Sequence, residues 1–116
     1  MNEEIVLKIV KDCYPDDMNA TGGRGEDVVG QAVDNEPLTK PEVLPGRAND
    51  TFVILEHIYR IATFIKCVVD VVLALRKEGR EAKKEDVEEV AQSKRIYIPS
   101  NEEVRRILES SRRFMG

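Results

Sequence analysis

The chain has 116 residues, with 22 acidic and 18 basic side chains and a formal net charge of −4. A chain of this length forms a single domain at most. Residues 1–50 carry 11 acidic and five basic side chains, whereas residues 51–116 carry 11 acidic and 13 basic ones. This balance excludes a general polyanion-binding protein, which needs a clear positive excess, but it leaves room for a local basic patch.

The cysteines and the first residues predict the compartment. Cys13 and Cys67 are the only two cysteines, whereas small secreted domains usually carry more, in pairs. The chain begins with Met-Asn-Glu-Glu, an acidic start, whereas a signal peptide begins with basic residues. We therefore predict a cytoplasmic protein with both thiols reduced.

Residues 2–13 are predicted to form a short amphipathic helix. Asn2 can cap its first turn, and Pro15 ends it because the residue before a proline avoids the helical region. Residues 16–49, in contrast, are predicted to be a loop or arm, mobile or wrapped against the core or a partner, because they are rich in glycine and proline and lack a sustained apolar period. Only residues 26–33 could form a helical turn.

The clearest predicted element is one long helix at about residues 50–78. Its apolar residues recur at alternating steps of four and three, which is the spacing of packed helices. These residues are Ile54, Ile58, Ile61, Ile65, Val68, Val72 and Leu75. A strand of this length would lie far outside the usual range. Four charged residues, Glu56, Arg60, Lys66 and Asp70, argue against a membrane span, because each costs about 2.5–3.5 kcal/mol near a bilayer centre.

The apolar arc of this helix predicts an interface. A helix that is apolar over a wide arc must be covered on most sides, and the short helices predicted elsewhere would cover only part of it. We therefore predict that the same seven residues contact another chain. The expected partner is a second copy, with a dimer favoured, or a larger assembly.

Two further helices are predicted after the long one. Gly79 suits the position just past a helix end, and residues 83–94 are predicted to be a short helix followed by an extended link at 95–99. Ser100 and Glu103 form a capping-box pattern that opens a last helix at 101–114. The predicted fold class is thus all-α: a single domain, 1–116, forming a small helical bundle around one long central helix.

No residue pattern predicts catalysis, a metal site or a cofactor. His57 is the only histidine, and a zinc site needs several ligands at suitable spacing. The glycines at 22–25 lack the Gly-Lys-Ser or Gly-Lys-Thr of a phosphate-binding loop. We expect a protein that is not an enzyme and that binds no cofactor.

Basic side chains near the carboxyl end are possible nucleic-acid contacts. They are Lys94, Arg95, Arg105, Arg106, Arg112 and Arg113. Pairs seven apart lie near one face of a helix and could contact phosphates, but a solvated helix face has the same composition and is favoured. Binding to nucleic acid is therefore possible but not favoured.

Residues 71–91 resemble the second half of a histone fold. The resemblance rests on Gly79-Arg80, which follow the long helix, and on Glu85-Asp86-Val87, which open the next one. It implies a handshake dimer of two long helices and an ion pair between Arg80 and Asp86. Glu81 stands where the family has a basic phosphate contact, so the resemblance favours protein pairing over DNA wrapping.

Three functions remain open from the sequence. The first is a non-enzymatic helical module for protein–protein interaction or oligomerisation. The second is a nucleic-acid-associated protein that uses the basic last helix. The third is an accessory subunit of a larger enzyme complex, in which an arm could order on a partner as segments that fold on binding do.

Overall fold

A computed structural model describes residues 2–34 and 50–115, and within these ranges the protein is a bundle of six helices without strands. The helices are α1 (Asn2–Cys13), α2 (Pro15–Thr21), α3 (Gly23–Asp34), α4 (Asp50–Lys77), α5 (Lys84–Ser93) and α6 (Asn101–Met115). The predicted all-α bundle around one long helix is confirmed.

Helix α4 is the centre of the bundle and packs against all five other helices. Its 28 residues span about 42 Å at 1.5 Å per residue. It ends where Gly79 adopts a positive φ of 74°, and the amide of Arg80 donates to the carbonyl of Leu75 at 2.9 Å. This is the glycine-dependent helix end that the sequence predicts.

The predicted loop at 16–49 is wrong for residues 16–34, which form α2 and α3. Pro15 lies in the first turn of α2, where its missing amide proton costs nothing and its fixed φ suits the helix. Gly22 has a φ of 56° and makes the turn from α2 into α3. The rest of the predicted arm, residues 35–49, lies outside the described residues.

Gly25 is needed for close packing of α2 and α3. It is buried, and a Cβ atom there would collide with the Thr21 hydroxyl oxygen and lie 3.2 Å from the Met18 sulfur. The Thr21 hydroxyl is fixed because it donates to the carbonyl of Asp17 at 3.0 Å. Gly25, which lies in the predicted glycine-rich loop, is therefore a contact point between helices.

The apolar row of α4 is buried within this same chain. Five of its seven residues, Ile58, Ile61, Ile65, Val68 and Val72, are at most 6% exposed. Ile54 and Leu75, at the two ends of the row, are partly buried. The expectation of an uncovered arc is wrong because it counted α2 and α3 as loop, whereas both pack on α4. This burial removes the reason to expect another chain on the row.

The two ends of the described chain are tied to the second half of α4. The Asn2 side-chain amide donates to the Asp70 carboxylate at 3.2 Å, and the Arg76 guanidinium donates to the Met115 carbonyl at 2.9 Å. Helices α1 and α6 also pack directly on each other. The inner face of α6 includes Val104, Ile107 and Leu108, which are at most 5% exposed.

Candidate functional site

A cleft of about 430 Å³ lies where the end of α4, the loop at 78–83 and the last turn of α6 meet. We call it the arginine cleft. It is lined by Val72, Arg76, Gly79, Arg80, Glu81, Ala82, Arg112 and Met115. Its volume lies within the range of about 300–1,000 Å³ that is typical of ligand sites in proteins.

The fold brings three arginines from three elements to this cleft. Arg76 comes from the last turn of α4, and the turn at Gly79 places Arg80 beside it. Arg112 comes from the last turn of α6. Beneath them the lining is apolar, because Val72 and Ala82 are buried and Met115 is partly buried. The result is a set of guanidinium groups around an apolar floor.

Each of these arginines has a partner in the chain itself. Arg112 Nη2 lies 3.2 Å from a carboxylate oxygen of Glu81 and donates to the carbonyl of Ala82 at 3.2 Å. Arg80 lies 3.5 Å from the Glu78 carboxylate. Both carboxylates have exposed side chains, and exposed ion pairs contribute only about 0–1 kcal/mol to stability. An external anion could therefore replace these carboxylates at little cost.

A second cleft, of about 550 Å³, adjoins the first one along α6 and shares Arg112 with it. Its other lining residues are Lys83, Lys84, Glu85, Arg105, Leu108 and Glu109. The basic surface of the arginine cleft thus continues along α6, but acidic side chains are interspersed with the basic ones.

The six predicted nucleic-acid contacts do not form one surface. Arg105 and Arg112 line the clefts, whereas Arg113 lies on the opposite flank of α6, 3.1 Å from the Asp12 carboxylate on α1. Arg106 lies on that flank as well: burial raises the pKa of the Cys13 thiol on α1, and the charge of the nearby Arg106 guanidinium opposes this rise. On the exposed face of α6, the acidic residues Glu102 and Glu109 lie between the two flanks.

The other two predicted contacts, Lys94 and Arg95, are exposed at the carboxyl end of α5. Arg95 has a positive φ of 58°, so it marks the turn that ends this helix. Neither residue lines the arginine cleft or its neighbour.

Sequence reasoning missed four of the basic residues at the two clefts: Arg76, Arg80, Lys83 and Lys84. A signal for them exists, since residues 76–84 hold five basic side chains among nine. The sequence pattern predicts only a helix end and a connecting segment there. Only the turn at Gly79 brings it beside the distant Arg112.

Outside the two clefts, a cluster of polar side chains connects the turn between α1 and α2 with helices α4 and α6. The Tyr14 hydroxyl donates to a Glu103 carboxylate oxygen at 2.6 Å, and the rings of Tyr14 and His57 meet edge to face at 5.8 Å. His57 Nε2 lies 3.7 Å from the Asp17 carboxylate. Burial, and then the bond to Glu103, raise the pKa of Tyr14 far above its usual value. A phenol held protonated in this way acts as a structural contact rather than an acid or base.

The thiols and carboxylates give no sign of a reactive centre in the part of the chain that is described. Burial raises the pKa of both the Cys13 and the Cys67 thiol, which lowers the fraction of reactive thiolate. Among residues 2–34 and 50–115, no three side chains of the metal-binding types are grouped so that they could hold an ion. None of the described helices is long and apolar enough to cross a bilayer.

Comparisons with protein-family models, with curated proteins and with solved structures find no match to this chain. The ion pair that the histone resemblance implies is not formed. Arg80 approaches Glu78 instead, and the Asp86 carboxylate accepts a hydrogen bond from the Lys83 amide at 3.0 Å, which caps α5. A handshake dimer would also bury the apolar row of α4 between two chains, whereas the other helices of the same chain already cover this row.

Proposed function

We propose that this chain is a non-enzymatic protein-interaction module that binds an acidic segment of a partner protein in the arginine cleft. The observation that carries the proposal is the placement of three guanidinium groups around an apolar floor. A guanidinium presents a planar fork of donors that matches a carboxylate in two parallel hydrogen bonds. The floor at Val72, Ala82 and Met115 suits an apolar side chain next to the acidic ones.

The charge pattern favours a protein partner over nucleic acid. Glu78 and Glu81 stand among the arginines of the first cleft, and Glu85 and Glu109 stand among the basic residues of the second. A nucleic acid carries a phosphate at every nucleotide and would meet these carboxylates. An acidic peptide can place its few carboxylates at the arginines and its apolar side chains between them. The overall net charge of −4 also weakens non-specific attraction to nucleic acid.

The test is direct binding to designed peptides. The probe is a fluorescein-labelled dodecapeptide of alternating leucine and glutamate, measured by fluorescence anisotropy in 50 mM and 300 mM salt. One control peptide replaces every glutamate with glutamine, and another replaces every leucine with serine. We expect both controls to bind at least ten-fold more weakly, because each removes one half of the match to the cleft.

Variants of the protein locate the binding site. Arg76→Gln and Arg112→Gln should each weaken binding of the acidic peptide several-fold. Arg24→Gln is the matched control, because it removes the same charge from an exposed site on α3, a helix that does not pack on α5 or α6. No binding by any form, or equal binding by all forms, would overturn the proposal.

Two further outcomes would replace the proposed partner. A DNA duplex that displaces the peptide, with a log–log salt slope of several, would assign the basic surface to nucleic acid. A self-associated species in sedimentation that Arg112→Gln dissociates would make a second copy of the chain the occupant. Either result would reject the proposed partner, an acidic segment of a different protein.

A further inference from the structure

Glu81 and Arg112 form an ion pair at the arginine cleft, and the inference drawn from this contact rests on the proposed function. Among the residues that the structure describes, Arg112 has two acceptors. The Ala82 carbonyl belongs to a buried residue of the loop and holds the guanidinium in place. The Glu81 side chain, by contrast, is 73% exposed and can leave. The same nitrogen, Nη2, serves both acceptors, whereas a bidentate carboxylate uses two nitrogens of the fork.

We infer that Glu81 is a resident competitor for Arg112, and that a partner occupies the cleft only when its own carboxylate replaces that of Glu81. The chemistry at the cleft supports this exchange. Glu81 is a carboxylate on a flexible side chain, already seated at the guanidinium that the partner must reach, so it imitates the ligand.

Competition by Glu81 narrows the class of ligand that the arginine cleft can bind. A segment with one carboxylate would only exchange one ion pair for another at Arg112, so its net gain in binding free energy is small. A segment with two carboxylates can replace Glu81 at Arg112 and also meet Arg76 or Arg80. We therefore expect two or more acidic residues close together in the partner, with an apolar residue beside them for the floor.

The decisive experiment is a double-mutant cycle with the leucine–glutamate peptide. Glu81→Gln should bind this peptide about two- to five-fold more tightly than the wild type, which is the range expected for the loss of one exposed ion pair. The gain should disappear when Glu81→Gln is made in the Arg112→Gln background, because the competition acts through Arg112 alone.

A matched control separates competition from a general change of charge. Glu102→Gln removes the same charge from an exposed position of α6, about 15 Å of helix away from Arg112 at 1.5 Å per residue. It should change the affinity much less than Glu81→Gln. Circular dichroism should show the same helix content for all variants, because both glutamates are exposed.

The failures of the two proposals are distinguishable. If neither the wild type nor Glu81→Gln binds the peptide, the proposed function is wrong and the inference with it. If the wild type binds the peptide and Arg112→Gln weakens that binding, the proposed function stands. If Glu81→Gln then increases the affinity for the peptide no more than Glu102→Gln does, only the inference is overturned. A gain that persists in the Arg112→Gln background would likewise reject Glu81 as the competitor for Arg112.

Discussion

The Tyr14 hydroxyl and the Glu103 carboxylate are joined by a hydrogen bond of 2.6 Å, although 89 positions separate them in the chain. The bond fixes the turn between α1 and α2 to the first turn of α6. The other oxygen of Glu103 accepts a hydrogen bond from the Ser100 hydroxyl at 2.9 Å. The helix cap and the tertiary contact thus share one carboxylate.

Removal of this hydrogen bond should destabilise the fold measurably. We expect Tyr14→Phe to lower the free energy of unfolding by about 1–2 kcal/mol, because hydrogen bonds to charged groups contribute more than neutral ones and this pair is only part-buried. Urea denaturation followed by circular dichroism measures the loss. Tyr97→Phe is the control, because Tyr97 is 44% exposed, and equal stability of the two variants would contradict the prediction.

The same bond makes stability depend on pH. The hydrogen bond from Tyr14, and to a lesser extent those involving Ser100, hold the pKa of Glu103 below its ordinary value of 4.5. A group whose folded pKa is depressed stabilises the fold above its unfolded pKa and loses this contribution as the pH falls through the folded pKa. We expect the urea midpoint to fall as the pH is lowered from 5 to 3, and the fall to be smaller for Tyr14→Phe. Parallel pH profiles of the two proteins would count against a role for Glu103.

The packing of α2 on α3 predicts opposite effects at two glycines. Gly25→Ala should destabilise the protein by about 1–3 kcal/mol, because the added methyl group meets Thr21 and overpacked sites cost that much. Gly23→Ala should be neutral or stabilising by up to about 1 kcal/mol, since alanine favours helix and nothing lies within 4 Å of the new atom. Thermal unfolding of both variants measures the difference. A loop at 16–34 would tolerate both changes alike.

Burial of the α4 row within one chain predicts a loss of stability that does not depend on protein concentration. Ile65→Ala should cost about 2–5 kcal/mol, as large-to-small changes in a core do. Leu73→Ala, at a site that is 37% exposed, should cost much less. Urea denaturation at 2 µM and 200 µM protein checks the origin of the loss. A midpoint that rises with concentration would place the row between chains.

The sequence was informative where apolar residues repeat at helical spacing. Helices α1, α4, α5 and α6 follow directly from such repeats, and Gly79 marked the end of α4. Helices α2 and α3 were missed because Gly22 and Gly25 suggest a loop when their surroundings are unknown. One makes a turn with a positive φ and the other allows close packing, and neither use is visible without the neighbouring helix.

The candidate site was only partly predictable for a similar reason. Arg105 and Arg112 were identified as a possible contact surface from their spacing of seven residues. Their neighbours Arg76 and Arg80 come from a different part of the chain, and no local pattern says that the loop after α4 meets the end of α6. The pairing of Arg106 and Arg113 with the α1 side likewise depends on how α6 is rotated against α1.

The bonds of Asn2 to Asp70 and of Arg76 to Met115 hold both ends of the described chain at one pole of the bundle. The two anchor points on α4 are six residues apart, about 9 Å along the helix axis. A short linker could therefore join residue 115 to residue 2, and new ends could be opened elsewhere, as circular permutation requires. The same arrangement would let the bundle be inserted as a unit into a surface loop of another protein, with its arginine cleft close to the points of attachment.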